Sequence, residues 1–167
     1  YKDRSMHEFG ISGINFGITD NLETVTHKFS NHSMINDGYK QIFFNLNLRY
    51  EYIYQLLGKE KKVGLLIGGS AEPYIIRDIY RPKTSRNYDI RQFILGSKFY
   101  IIPHCIFSLG ERVYIDIDYP LEVIDLYWNR RRIDNPSLTK DLRTNDYFEN
   151  KTFNNLIQFR IGIGIRL

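Results

Sequence analysis

The chain of 167 residues has a single cysteine, Cys105, so no disulfide within it can hold the fold together. No run comes near the roughly 18 apolar residues of a membrane-spanning helix, which excludes insertion by helices. The GxSxG, HExxH and CxxC spacings are absent, as is any glycine loop of phosphate-binding form, so no motif points to an enzyme or a cofactor. A dominant charge is also lacking. Lys and Arg total 23 against 19 Asp and Glu, and the net charge of +4 is too diffuse for a nucleic-acid interface. The sequence begins at Tyr1 with neither Met nor a charged-then-apolar stretch, and any signal peptide is expected to have been removed or to lie outside the sequence.

What the chain does have is tyrosine and alternation. Thirteen Tyr residues raise the aromatic content to 15%, which suits an interface belt with the ring in lipid and the hydroxyl in water. The mean hydropathy of −0.38 does not exclude a membrane, because barrel strands give half their residues to a polar interior. The clearest alternation is the last. From Ile157, every second residue is large and apolar through Phe159, Ile161, Ile163, Ile165 and Leu167, with Gln158, Arg160, Gly162, Gly164 and Arg166 between. A strand running to the final residue is an exposed edge in a soluble domain but a ring-closing element in a barrel.

Earlier stretches repeat the pattern. In Phe9 to Thr19, Ile14, Phe16 and Ile18 alternate with Gly13, Asn15 and Gly17, and a phase slip near Gly10 to Gly13 predicts a bulge. Gln41 to Leu57 carries Ile42, Phe44, Leu46, Leu48, Tyr50, Tyr52 and Tyr54 on one face and Asn45, Asn47, Arg49, Glu51 and Gln55 on the other. Val63 to Ile76, Ile90 to Ser108 and Val113 to about Val123 read as further strands, with Pro73 and Pro103 as irregularities. Polar loops are expected at Asp20 to Gly38, Arg77 to Asp89 and Asp125 to Phe153, and tight turns at Gly58 to Lys62 and Leu109 to Arg112.

This layout predicts one all-β domain over residues 1–167, an antiparallel up-and-down transmembrane β-barrel. About six strands are visible; eight or more are expected for a complete ring, so amino-terminal strands are absent, a pair hides in a loop, or another chain completes it. Several strands of 11 to 18 residues exceed the usual ~5–6 and suit a tilted membrane crossing. Long loops on one side and tight turns on the other place both termini in the periplasm of an outer-membrane protein. A soluble barrel with its apolar face inward is the competing architecture.

The segments RYEYIY (Arg49–Tyr54), LLIGGSAEPY (Leu65–Tyr74), YIDIDYPLEVIDL (Tyr114–Leu126), NPSL (Asn135–Leu138) and QFRIGIGIRL (Gln158–Leu167) carry a resemblance. The chain resembles the small outer-membrane β-barrel proteins of Bacteroidota, the group that includes PorT-like and OmpX-like barrels. The resemblance implies a Gram-negative outer-membrane location and lipid contact. It also implies recognition by barrel-assembly machinery through the terminal segment, with Arg160, Gly162, Ile163, Ile165 and Leu167 as the signal. The chain departs from the usual form in ending on Leu167 rather than an aromatic residue.

With the apolar face outward, the interior receives Arg49, Glu51, Glu72, Lys98, Asp116, Asp118, Glu122, Arg160 and Arg166. The expectation is a salt-bridge and hydrogen-bond network that fills a narrow barrel, not an open pore. His104 and Ser108 share a face but are about 13 Å apart along a strand, too far for a nucleophile and its base. His27, Ser30, His32 and Ser33 fall in a loop, and no catalytic or metal role is expected of them. Arg130, Arg131 and Arg132 are candidates for contact with lipopolysaccharide phosphates, as are Arg77, Arg81, Lys83 and Arg86 in the second loop, because Arg pairs with phosphate bidentately. The competing and favoured reading is a solvated loop whose charges are offset by Asp134, Asp141, Asp146 and Glu149. The functional expectation is a structural or accessory barrel, a candidate subunit of a larger secretion, assembly or uptake complex. The alternative is a barrel that binds a small apolar or lipidic ligand.

Overall fold

A computed structural model describes residues 5–22, 38–57, 62–83, 88–153 and 159–165. The strands are β1 (Ser5–Leu22), β2 (Tyr39–Leu57), β3 (Val63–Pro82), β4 (Ile90–Ser108), β5 (Val113–Asp118), β6 (Leu121–Ile133), β7 (Thr144–Thr152) and β8 (Arg160–Ile165), and one short helix, α1 (Lys140–Arg143), precedes β7. All pair antiparallel in a single sheet, curled into a half-barrel. The all-β, up-and-down architecture expected from alternation is the one observed.

The eight strands occupy six positions across the sheet. β5 pairs with the end of β4 at His104–Ser108, and β6 pairs with its beginning at Ile90–Ile101. They are two segments of one crossing, interrupted at Tyr119–Pro120, where proline has no N–H for a ladder. The Tyr119 amide instead donates to the Pro103 carbonyl at 3.1 Å. β8 continues the next crossing beside β5, and β7 beside β6. Among the described residues, no ladder joins β1 to β7 or β8, so the sheet has two free edges.

Two expected loops are corrected. Asp125 to Phe153 is mostly strand, because β6 runs on to Ile133 and β7 pairs with it from Thr144 to Thr152. β3 likewise runs past Ile76 to Pro82. The Leu109–Arg112 turn is observed, whereas Gly58 to Glu60 and Lys61, and most of the Asp20–Gly38 loop with His27, Ser30, His32 and Ser33, lie outside the described residues, as does Arg86.

The faces follow from register. Antiparallel partners share a face, so Glu51, Ser70 and Tyr100 lie together, as do Tyr50, Ala71 and Phe99. The first set is on the concave side, where Glu51, Ser70, His104, Asp125 and Asn129 are buried beside Ile53, Ile90 and Ile102. The convex side carries Phe16, Leu48, Leu65, Leu95, Phe99, Ile101 and Ile163, all exposed, with Phe16 at 75% and Ile163 at 77%. The concave side thus buries a mixture of polar and apolar side chains, while the large exposed apolar ones stand on the convex side.

The bulge expected near Gly10 to Gly13 is present as a register shift between Ile11 and Gly13. It leaves Ser12 as the extra residue and changes the parity of β1. Phe9 and Ile11 before it, and Ile14, Phe16 and Ile18 after it, therefore all stand beside convex residues of β2.

Candidate functional site

The concave face holds two polar clusters. The first is built from β2, β4, β5 and β8. Glu51 is fully buried and pairs with the Arg49 guanidinium two residues away on its own face. Its other oxygen lies 2.8 Å from Nε2 of His104, on the strand beyond β3. The His104 ring is also buried, and its Nδ1 faces Asp116 at 3.1 Å to Oδ2 and 3.3 Å to Oδ1. His104 stands directly opposite Asp118 in the β4–β5 register, and Asp118 accepts from Arg160 Nε of β8 at 2.5 Å. Each of these side chains holds its place because period-two alternation puts i and i+2 on one face, as in Arg49 and Glu51 or Asp116 and Asp118. A cavity of about 330 Å³ lies against this cluster, lined by Glu8, Arg49, His104, Tyr114, Asp116, Asp118 and Arg160 among others.

Two glycines make the face passable. Gly68 lies on β3 between Glu51 and His104, where a Cβ would overlap the Glu51 carboxylate. Gly164 lies under the Tyr114 ring on the neighbouring strand. Gly162, beside Asp116, has open space where its side chain would be.

The second cluster is built from β3, β4, β6 and β7. Lys98 Nζ donates to Glu122 Oε2 at 3.1 Å, and the Tyr100 hydroxyl approaches the same oxygen at 3.4 Å. The Tyr74 hydroxyl donates to Asp125 Oδ1 at 2.8 Å, with its ring passing over Gly96 of β4. Tyr127 donates to Glu149, Asn129 Nδ2 donates to the Tyr147 hydroxyl at 2.8 Å, and the Lys151 ammonium sits 5.1 Å from the Tyr127 ring centre. Glu72 lines the accompanying cavity of about 550 Å³ with Asn45, Tyr74, Lys98 and Asp125. The groups are interlocked, as buried polar side chains must be to offset desolvation.

Of the interior residues expected from sequence, Arg49, Glu51, Glu72, Lys98, Asp116, Asp118, Glu122 and Arg160 all take concave positions in the register, and Arg166 lies outside the described residues. They gather into two clusters along the concave face, with Glu72 within electrostatic reach of Arg49 and Arg160 of the first and of Lys98 and Glu122 of the second. Sequence reasoning missed His104 as the hub of the first cluster, although its parity marks it as concave. It missed Asp125, Tyr127, Asn129 and Glu149 because their segment reads as loop.

The arginine triplet is corrected. Arg130, Arg131 and Arg132 lie within β6, not in a loop, and alternate in face. Arg131 is concave, opposite Gln92. Arg130 and Arg132 are convex, opposite Phe93 and Arg91. Arg130 grips Asp146 of β7 with two nitrogens, at 2.9 Å from Nε to Oδ1 and 2.7 Å from Nη2 to Oδ2, and rests 4.9 Å over the Trp128 ring. Arg132 and Arg91 both pair with Asp134 at 2.9 Å. Arg77 and Arg130, level with Phe93, and Arg91 and Arg132 beyond it form a convex charged band beside the aromatic pair Phe93 and Trp128.

In the terminal segment, Arg160 and Gly162 are concave and Ile163 is convex; the Ile165 backbone pairs with Val113, and Leu167 lies outside the described residues. His104 and Ser108 occupy one face of β4 four residues apart, and each has other partners. Comparison with protein-family models, curated proteins and solved structures returned no match.

Proposed function

We propose that this chain is an integral outer-membrane β-barrel protein with a structural or accessory role, of the kind found in Gram-negative Bacteroidota. The observation that carries the reading is the inverted sheet. Charged and hydrogen-bonded side chains are buried on the concave face, and large apolar side chains are exposed on the convex one. In water, such a convex face would form an apolar patch far larger than monomeric soluble proteins expose. In lipid it is the ordinary solvent-facing surface.

The dimensions support the same environment. The convex apolar row on β2 runs from Ile42 to Tyr54. At ~3.3 Å per residue it spans about 40 Å of strand, or about 28 Å of bilayer at a tilt of ~45°, against a hydrocarbon core of ~30 Å. The row ends in Tyr50, Tyr52 and Tyr54 with His7 beside them, whose Nδ1 is 2.9 Å from the Tyr50 hydroxyl. Phe93 and Trp128 mark the opposite border, where the convex arginines begin. Such aromatic and basic girdles suit the two lipid–water interfaces, with the arginines at lipopolysaccharide phosphates and the tight turns and termini in the periplasm.

Among the described residues the sheet has two free edges. Long strands with unpaired amides and carbonyls cannot face lipid, so further strands complete the ring. Strands of the same protein outside this sequence, or a partner subunit of an outer-membrane secretion, assembly or uptake complex, would supply them, and barrel-assembly machinery would insert the product. The polar lining of both cavities speaks against the alternative of an apolar ligand in the interior.

Membrane fractionation with and without detergent, followed by electrophoresis of boiled and unboiled samples, tests the reading. Extraction only by detergent, with faster migration unboiled, is the expected result. The apparent mass of the unboiled species then reports whether a partner is in the ring. A protein that stays in the aqueous fraction without detergent would overturn the proposal.

A further inference from the structure

We infer that His104, Asp116 and Asp118 form a binding site for one divalent transition-metal ion of mixed nitrogen and oxygen ligation, with Glu51 as the positioning residue. One imidazole nitrogen and one oxygen from each carboxylate lie within 4.8 Å of one another, a separation that one ion can bridge. The three residues come from two hydrogen-bonded strands, so sheet register fixes them.

The imidazole geometry is the second observation. Metal-bound histidine usually gives its other ring N–H to a carboxylate, which sets the tautomer and the ring orientation. Here buried Glu51 sits 2.8 Å from Nε2 and is itself held by Arg49. The other ring nitrogen, Nδ1, faces the Asp116 carboxylate at 3.1 Å, so Glu51 fixes the ring with Nδ1 turned toward the two aspartates.

Local charge is the third. Four carboxylates, Glu8, Glu51, Asp116 and Asp118, surround this end of the cavity against two guanidiniums, Arg49 and Arg160. Acidic groups outnumber the guanidiniums there, which favours a cation. Arg160 occupies only Oδ1 of Asp118 in the recorded hydrogen bond, and Gly162 next to Asp116 has open space where a Cβ would stand. The cavity of about 330 Å³ leaves room for water to complete the coordination. Imidazole with two carboxylates suits zinc or manganese better than calcium, which prefers oxygen ligands alone. No spacing in the sequence announces the site, because one ligand lies 12 residues from the next and across a turn.

The test is calorimetric titration of Zn2+ into the full-length protein in detergent after chelator treatment, with Ca2+ as control. One zinc per chain is expected, with calcium at least about tenfold weaker. His104→Gln, which keeps His7, His27 and His32, should abolish the site. Asp116→Asn should weaken it about tenfold or more, and Glu51→Gln about 10–100-fold, the range for a hydrogen-bonded partner of a ligand. Heat-modifiable migration checks that each variant is folded, and Asp116→Asn, the more exposed position, decides if His104→Gln is not. Absence of stoichiometric zinc binding by the folded wild type, or equal binding by folded His104→Gln or Asp116→Asn, would overturn the inference. In that event His104 bridges Glu51 and Asp116 by protons alone.

Discussion

His104 on β4 reaches Glu51 on β2 across the full width of β3, with Nε2 and Oε1 2.8 Å apart. The intervening residue is Gly68, and a Cβ there would overlap Glu51 Oε1 and lie 3.1 Å from His104 Nε2. Glu51 cannot swing aside cheaply, because its other oxygen is paired with Arg49. Gly68→Ala should therefore destabilise the fold by about 1–3 kcal/mol, the cost of leaving buried polar groups unsatisfied. Gly68→Val should cost more. The urea midpoint of unfolding in detergent reads this directly, and an unchanged midpoint would show the crossing contact to be dispensable.

Tyr74 and Asp125 repeat the device one strand over, across Gly96. Asp125 is buried, and Tyr74 is its recorded hydroxyl donor. Tyr74→Phe preserves the ring and removes the donor, so a loss of about 1–3 kcal/mol is expected in the same assay. Asp125→Asn should be milder, because an amide oxygen still accepts from Tyr74. Equal losses in both variants would assign the effect to packing instead.

The fold was legible where one face is consistently apolar. β2 and β4 cross the apolar band from end to end, so Ile42 to Tyr54 and Phe93 to Phe107 alternate visibly. β6 was legible only in part. Its outward row moves from Leu121 to Ile124, Leu126 and Trp128 because the register shifts opposite Phe99 and Tyr100. From Asn129 to Arg132 both faces are polar, with Arg130 and Arg132 outside and Asn129 and Arg131 inside. β7 has one large apolar convex residue, Phe148, and is defined by its ladder to β6 more than by its own sequence. Interior residues were legible by parity, but their grouping was not. Nothing in the spacing of Glu51, His104 and Asp116 shows that two glycine-thinned or adjacent strands bring them together.

Ser12 is the residue that the β1 bulge inserts between Ile11 and Gly13. Its deletion would restore a regular ladder and force one side of the strand to change face. Either Phe9 and Ile11 or Ile14, Phe16 and Ile18 would then turn toward the polar concave side. The deletion should lower the yield of heat-modifiable protein several-fold. Ser12→Ala, which keeps the count, should leave it near the parental level.

The convex arginines give a test of lipid contact that separates two neighbours. Arg91, Arg130 and Arg132 point outward, whereas Arg131 points inward. The arginines of the ion pairs to Asp134 and Asp146 are exposed, and such surface pairs add little to stability. Replacing Arg91, Arg130 and Arg132 together by Ser should leave the fold intact and at least halve the lipopolysaccharide that co-purifies. Arg131→Ser should leave lipid retention unchanged. Equal retention by the triple variant would remove the arginines from the lipid interface.

Ile101 separates the membrane reading from its aqueous competitor by the sign of a single substitution. It lies on the convex face of β4, between Phe93 and Phe107, opposite Gly69 and Leu121, and its side chain is exposed. In water, Ile101→Arg would remove an apolar group from the solvent and replace it with a hydrated one. Stability would be little changed, and solubility would rise. In a bilayer the same guanidinium would stand near the midplane, at a cost of about 2–4 kcal/mol for a barrel strand. The same change placed at Phe93, on the border next to Arg130, should cost only about 0–1 kcal/mol, because the side chain can reach the interface. Unfolding titrations in lipid vesicles for Ile101→Arg and Phe93→Arg measure that gradient. A steep loss at 101 with little at 93 is the expected result, since depth in a bilayer is the one variable that distinguishes the two positions so strongly. Equal and small effects at both would place the convex face in water.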